Sequence, residues 1–224
     1  MTPPNIFIIG AGPQIATAVA KIFASNGFSI GLSSRSQANL QKYKALLPEG
    51  TKVALAVSDA DDPPSCVKAL DSLKNDLGAP SVVVWNAGSL PISFPTKNLV
   101  EMTIEDMERH MRLNVVAGFA VVQWGVKNVV PDPEGRSLVF ITGGALALQP
   151  LAGLSGLSAG KAGLLNLAKA FRVEVSDIRV ATVMVSGRVD EPNGDPFLSS
   201  PVIAEEYWKL YTQKKEDWTY EVVH

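Results

Sequence analysis

The sequence predicts a three-layer α/β domain built on a doubly wound parallel sheet. Two observations carry that expectation. Short apolar runs rich in β-branched residues alternate with stretches of helical spacing along the 224 residues, and the junctions between them hold residues that start and stop helices. The strand runs are 6–9, 28–32, 52–57, 82–85, 138–141 and 180–185. Their length and apolarity on both faces suit strands covered by helices from two sides. Strands alternating with helices imply right-handed crossovers and one open parallel sheet.

The first strand run stops at Gly10, and Ile15, Ala18, Val19, Ile22 and Phe23 come next as one helical stripe. Asn26-Gly27 ends that helix. Asp62 before Pro63 reads as an N-cap with proline at the first helical position. Val67, Leu70, Leu73 and Leu77 form the apolar face of the helix it opens, and Gly78-Ala79-Pro80 stops it. Thr103 with Asp106 resembles a capping box, Asp standing for the usual Glu or Gln. It opens a helix with the stripe Met107, Met111, Val115, Phe119 and Val122. The small residues of 153–163 predict close helix packing, because each glycine disfavours a helix by about 1 kcal/mol and something must compensate. The segment 187–201, with Pro192, Gly194 and Pro196, reads as a loop. A short amphipathic helix comes after it (Ile203, Tyr207, Leu210, Tyr211), then a tail containing Trp218. The expected organisation is one domain over 1–224 with its core in about 5–190.

Composition narrows the function. Hydrophobic residues at 46% and charged residues at 19% describe a folded globule. A net charge of −2 supplies no basic field, so nucleic acid is not an expected partner. Cys66, the single cysteine, reads as a small core residue of a reducing compartment. No apolar run approaches the about 20 residues of a bilayer span. The start, Met1 to Asn5, lacks a basic leader, and the run after it breaks at Gly10. A soluble cytoplasmic protein without membrane contact is expected, and no metal site.

The turn Gly10-Ala11-Gly12-Pro13-Gln14-Ile15-Ala16 joins the first strand to the first helix. There, glycines allow a tight turn and let backbone N–H groups approach a pyrophosphate at the helix N-terminus. A plain glycine turn is the other reading; its place after the first strand of an α/β chain favours the dinucleotide. About 20 residues further on, an NAD site carries an Asp or Glu for the ribose 2′-hydroxyl. Here the second strand ends in Leu32-Ser33-Ser34-Arg35-Ser36, without a carboxylate. The planar fork of Arg35 suits a phosphate, and Ser34 and Ser36 add donors, which favours NADP (NADPH) over NAD. Alternatively Arg35 is a solvated residue ahead of the second helix.

The order of glycine turn, Trp85-Asn86-Ala87-Gly88, Leu113-Asn114-Val115, fifth strand and Lys161 resembles the short-chain dehydrogenase/reductase superfamily from residue 5 to about 190. The resemblance implies a Rossmann-type domain, an NAD(P) cofactor, a small-molecule substrate, and a homodimer or homotetramer built on the fourth and fifth helices. It implies that Gly10, Gly12, Gln14 and Ile15 form the cofactor turn. Asn86, Ala87 and Gly88 would lie beside the cofactor ribose, and Lys161 would bind it. Ala56 and Val57 stand where the family's Asp-Val pair flanks the adenine, Ala56 lacking the carboxylate. Gln14 and Ala16 replace the later glycines of the family's turn, and Gln14 is large enough to narrow the pyrophosphate groove.

The family's chemistry rests on Asn, Ser, Tyr and Lys, with tyrosine exchanging a proton with the substrate oxygen. Asn114 and Lys161 match, and both are expected to be catalytic; the tyrosine position holds Leu157 and the serine position Gly144. Ser158, next to Leu157, reads as packing. His110 precedes Asn114 by four on the same helix face and stands either as an interface residue or as a proton donor titrating near neutrality. Arg112 and Arg188 are further candidates for anion or oxyanion partners, and Asn114 has a second reading as a bridge across a helix kink. Trp208, Trp218 and Tyr220 either fill an interface or cover substrate. A positioned general acid contributes roughly 10²–10⁴-fold, or about 3–5.5 kcal/mol, while hydride transfer is the cofactor's own chemistry. Loss of the tyrosine therefore weakens carbonyl reduction without forbidding it. The expected function is a divergent NADP(H)-dependent oxidoreductase acting on a small carbonyl, imine or enone. The alternatives are a cyclase or isomerase on the same fold, and an inactive NADP(H)-binding scaffold.

Overall fold

A computed structural model describes residues 3–89, 97–190, 192 and 194–224. The leader reading at Met1 and Thr2, and Glu191 and Asn193 of the expected loop, lie outside the described residues.

Seven parallel strands form one sheet in the order β3-β2-β1-β4-β5-β6-β7. They are β1 (Asn5–Ile9), β2 (Ser29–Ser34), β3 (Val53–Val57), β4 (Val82–Trp85), β5 (Leu138–Gly144), β6 (Arg179–Val185) and β7 (Glu221–Val223). The helices are α1 (Ile15–Ser25), α2 (Gln37–Lys44), α3 (Pro63–Leu77), α4 (Ile104–Met111), α5 (Ala117–Asn128), α6 (Ser155–Glu174) and α7 (Ser200–Thr212). The strand order reverses between β1 and β4, which opens a crevice beyond their carboxyl ends. Alternation along each strand feeds two apolar layers. Ile6 and Ile8 join Val19, Phe23 and Tyr207 under α1 and α7. Phe7 and Ile9 join Leu70, Leu73, Val121 and Leu164 under α3, α5 and α6.

Local punctuation acts as the sequence indicates. Thr103 and Asp106 form a full capping box, Thr103 Oγ1 accepting from Asp106 N–H at 3.2 Å and Asp106 Oδ2 from Thr103 N–H at 2.9 Å. Gly27 and Gly78, at φ 84° and 87°, end α1 and α3. Pro63 opens α3, although the Asp62 side chain makes no capping bond. Cys66 is fully buried, and burial pushes its thiol pKa up to about 11.

Three expectations need correction. The sheet has a seventh strand: Glu221, Val222 and Val223 pair with Thr182, Val183 and Met184. The fourth expected helix is broken by a π turn at Arg112–Val116, between α4 and α5. A π turn holds an extra residue and rotates the helical residues beyond it. The buried side therefore runs through Leu113, Asn114, Ala117, Gly118 and Val121, while Phe119 of the expected stripe is 40% exposed. Of the tail aromatics, Trp208 and Trp218 pack within the chain, whereas Tyr220 is exposed. Trp208 meets Phe23 edge-on at 5.2 Å, and Trp218 fills the space over Gly135, where a Cβ would come within 2.5 Å of the ring. Arg179, 1% exposed, donates to the carbonyls of Leu210 (2.7 Å) and Thr219 (3.1 Å) and so ties the tail to β6.

Candidate active site

The crevice is assembled around Gly10. Its φ is +86°, and a Cβ there would lie 2.5 Å from the Ala87 backbone nitrogen, so only glycine fits. The N–H groups of Gly10 and Ala11 both donate to Ser33 O, at 3.0 and 2.8 Å. Asn86 binds the turn from β4: its backbone N–H donates to Ile9 O and its Nδ2 to Gly10 O, each at 2.9 Å. Asn86 Oδ1 accepts from Thr142 Oγ1 at 2.9 Å, and Thr142 Oγ1 lies 2.7 Å from the Tyr207 hydroxyl. A carboxamide oxygen only accepts, so the Thr142 proton is committed and Tyr207 must be the donor to Thr142. A directed, part-buried chain thus runs from α7 through β5 and the end of β4 to the glycine turn. Its Tyr207 end was legible only as part of an apolar stripe. Burial raises the Tyr207 pKa above the ordinary phenol range, so Tyr207 stays a structural donor at neutral pH.

The other expected cofactor residues line the same edge. At Gly12 a Cβ would meet nothing within 4 Å, and Thr17 Oγ1 donates to its carbonyl at 2.6 Å. Gln14 occupies the N-cap position of α1, ahead of Ile15, and its Nε2 donates to Val189 O at 2.7 Å. That bond joins the glycine turn to the segment after β6. Ser34 ends β2, Arg35 is exposed, and Ser36 Oγ accepts from Asn39 N–H at 3.3 Å to cap α2. At the end of β3, Ala56 is buried at 7% exposure and Val57 is open at 55%.

Across the crevice, α6 carries Lys161, whose Nζ donates to Thr142 O at 2.9 Å. Burial lowers its pKa to about 8. Asn114, fully buried on the π turn, donates from Nδ2 to His110 O at 2.8 Å and to Ser89 Oγ at 2.7 Å. The first bond bridges the helix irregularity. Asn114 Oδ1 is buried without a hydrogen-bond partner among the described residues. A Cβ on Gly88 would lie 3.5 Å from Lys161 Nζ and 3.8 Å from Asn114 Oδ1, so both groups flank Gly88. The glycines of α6 permit this approach: a Cβ on Gly160 would sit 2.7 Å from Asn114 Nδ2.

The remaining candidates divide clearly. Leu157 is buried at 3% exposure. Gly144 is extended, and a Cβ there would meet only Val185 O at 3.6 Å, so the space is open. Ser158 Oγ donates back to Leu154 O at 2.9 Å, a packing role. His110 is a buried residue, 7% exposed, and not a surface one; its Nδ1 lies 2.7 Å from Ser89 Oγ. Burial lowers its pKa, Asp106 opposing and Arg109 adding to the shift. Arg112 pairs with Asp61 at 3.0 Å, which holds it on the α3 side, and Arg188 is exposed after β6. Lys97, Leu99, Ala152, Gly153 and Ser155 line a cleft of about 510 Å³ beside the first turn of α6. Among the described residues, no helix is long and apolar enough to cross a membrane.

A parallel sheet with a glycine turn at its switch point defines a Rossmann-type α/β protein. The chain belongs to the short chain dehydrogenase family, whose sequence model matches residues 4–191. The family comprises oxidoreductases that act on small molecules with NAD(P)(H). A short chain dehydrogenase/reductase, dmxR12, of Cryptosporiopsis sp. is 28% identical over 172 residues, covering 72% of this chain and 67% of the relative. Among solved structures, a short-chain dehydrogenase from Rhodopseudomonas palustris superposes with a TM-score of 0.82 at 23% identity, covering 99% of this chain and 97% of the other. An alcohol dehydrogenase from Thermococcus sibiricus, complexed with 5-hydroxy-NADP, gives 0.85 at 22% identity, covering 99% and 95%. These structural likenesses establish the shared fold.

Proposed function

We propose that the chain is an NADP(H)-dependent oxidoreductase acting on a small organic carbonyl, imine or enone. The observation that carries the cofactor choice is the end of β2: Ser34-Arg35-Ser36 presents an exposed guanidinium and no carboxylate. The crevice residues fit a dinucleotide. The open face of Gly12 and the N-terminus of α1 suit a pyrophosphate, with Gly10, Gln14 and Ile15 shaping the turn. Ala56 and Val57 flank the adenine position, and Asn86, Ala87 and Gly88 the ribose position. The bond from Gln14 to Val189 trims the groove.

When bound, the cofactor supplies hydride chemistry. Lys161, held by Thr142 O, binds a ribose hydroxyl, and Asn114 presents Oδ1 beside it. With Leu157 and Gly144 at the tyrosine and serine positions, the proton comes from water or from the substrate itself. An iminium or activated alkene needs no strong acid there and suffers least. The same leucine favours a second reading, in which the nucleotide-bearing fold shapes a pocket for a cyclisation or isomerisation; turnover with NADP unchanged marks it. Exposed Val116 (50%), Phe119 (40%) and Val173 (88%) on α6 and the α4–α5 helix support a homodimer or homotetramer. The free, buried Cys66 goes with a reducing compartment such as the cytoplasm.

A thermal-unfolding titration with NADPH and NADH, repeated on Arg35→Ala, tests this reading. A ligand at about 100 times its Kd stabilises a fold by roughly 2.7 kcal/mol, enough to resolve. The wild-type chain should prefer NADPH, and the variant should lose about tenfold or more of that preference, as expected for a charge-assisted phosphate contact. Equal responses to the two nucleotides would remove the NADP assignment. NADPH consumption with carbonyl, imine and enone panels then tests turnover.

A further inference from the structure

Ser89, just beyond β4, and His110 of α4 form a buried polar pair that the proposed hydride chemistry does not use. Ser89 is 1% exposed and His110 7%. The imidazole lies against the first turn of α6, where a Cβ on Gly156 would come within 2.2 Å of His110 Cδ2. The directions of the bonds can be assigned. Asn114 Nδ2 donates to the His110 carbonyl, which only accepts, and this identifies which end of the amide is the nitrogen. The same nitrogen donates to Ser89 Oγ at 2.7 Å, so that oxygen accepts there. The Ser89 proton is then available to His110 Nδ1, 2.7 Å away. Burial and the positive end of α6 at Gly156 both disfavour the charged imidazolium, and in the neutral Nε2–H tautomer Nδ1 accepts that proton.

We propose that Ser89 and His110 are positioning residues that hold the Asn114 carboxamide with Oδ1 turned toward Lys161. The lysine then faces an acceptor across Gly88 instead of an amide N–H. The inference rests on Lys161 being a working residue of the proposed oxidoreductase. Turned the other way, the carboxamide would present N–H groups that disfavour the charged ammonium and depress Lys161 further than burial alone does. Asp106 and Arg109 act on His110 from its own helix, whereas burial alone accounts for the shift of Lys161.

The test is competitive acetylation of lysines with acetic anhydride across the neutral and alkaline range, read peptide by peptide by mass spectrometry. It needs neither nucleotide nor substrate. Ser89→Ala and His110→Leu should each lower the Lys161 midpoint, so that its labelling at neutral pH rises about threefold. His110→Asn, which keeps an acceptor where Nδ1 stands, should keep the wild-type profile. Unchanged midpoints in both removal variants, with cooperative thermal unfolding intact, would overturn the proposal. A second measurement needs no removal variant. With two histidines in the chain, ring ¹⁵N spectra of the wild-type protein are assigned by His110→Asn. An unprotonated Nδ1 at neutral pH is expected for His110; a protonated one would overturn the assignment. Failure of NADPH to bind would instead sink the oxidoreductase reading and leave these two readouts standing.

Discussion

Two polar networks meet near the carboxyl ends of β4 and β5, and they differ in one respect. In the chain from Tyr207 through Thr142 and Asn86 to Gly10, every polar side-chain atom has a partner. In the cluster of Ser89, His110 and Asn114, Asn114 Oδ1 is an acceptor without a partner among the described residues. Leaving a buried polar group unmatched costs about 1–3 kcal/mol. A fold stabilised by the first network tolerates that cost in the second, and the leftover atom flanks the same Gly88 as Lys161. The closed network builds the crevice; the open one equips it.

That contrast breaks most severely at Gly10. Gly10→Ala puts a Cβ 2.5 Å from a backbone nitrogen at φ +86°, and strain plus overpacking should cost about 3 kcal/mol or more, read by urea unfolding. Thr142→Val keeps the shape but strands the Tyr207 hydroxyl and Asn86 Oδ1. It should cost about 2–4 kcal/mol, against about 1 kcal/mol for Ser89→Ala in the network that is already open. Equal losses would erase the distinction between the two.

Lys161 gives a pH signature. Its folded pKa is about 8 against an ordinary 10.5, so between those values the unfolded chain holds a proton that the folded lysine has shed. Its contribution to stability therefore rises with pH through that window and stays at its lowest level below it. Lys161→Met should flatten the rise in denaturant midpoint over the same window. The smallest effect is expected at Gln14, an exposed side chain with a bond to Val189 O. Gln14→Ala should cost less than about 1 kcal/mol while loosening the segment after β6, seen as faster amide exchange there.

Local chemistry was legible wherever the cause is local. The capping box at Thr103, the stops at Gly27 and Gly78, the buried Cys66 and the glycine turn all arise from neighbours a few residues apart. Lys161 and Asn114 were found through motif spacing, and the fold brings both to Gly88. Tyr207 was visible only as an apolar-stripe member, since its partner Thr142 is 65 residues away. Ser89 carried no signal. Its role depends on a histidine 21 residues later and an amide 25 residues later, on elements joined only by packing.

The sequence by itself determined that this is an α/β chain with a dinucleotide-type turn, because strand apolarity, helical period and turn residues act over a few positions. Tertiary structure alone decided three things. The tail became a seventh strand because Arg179 and Arg172 gather its carbonyls against β6. The helix after Thr103 took a π turn where Asn114 bonds back to His110 O and the small residues of α6 leave room for it. The two networks closed or stayed open according to which side chains the sheet order brought together. Such partners lie far apart in the chain, and local propensity carries no information about them.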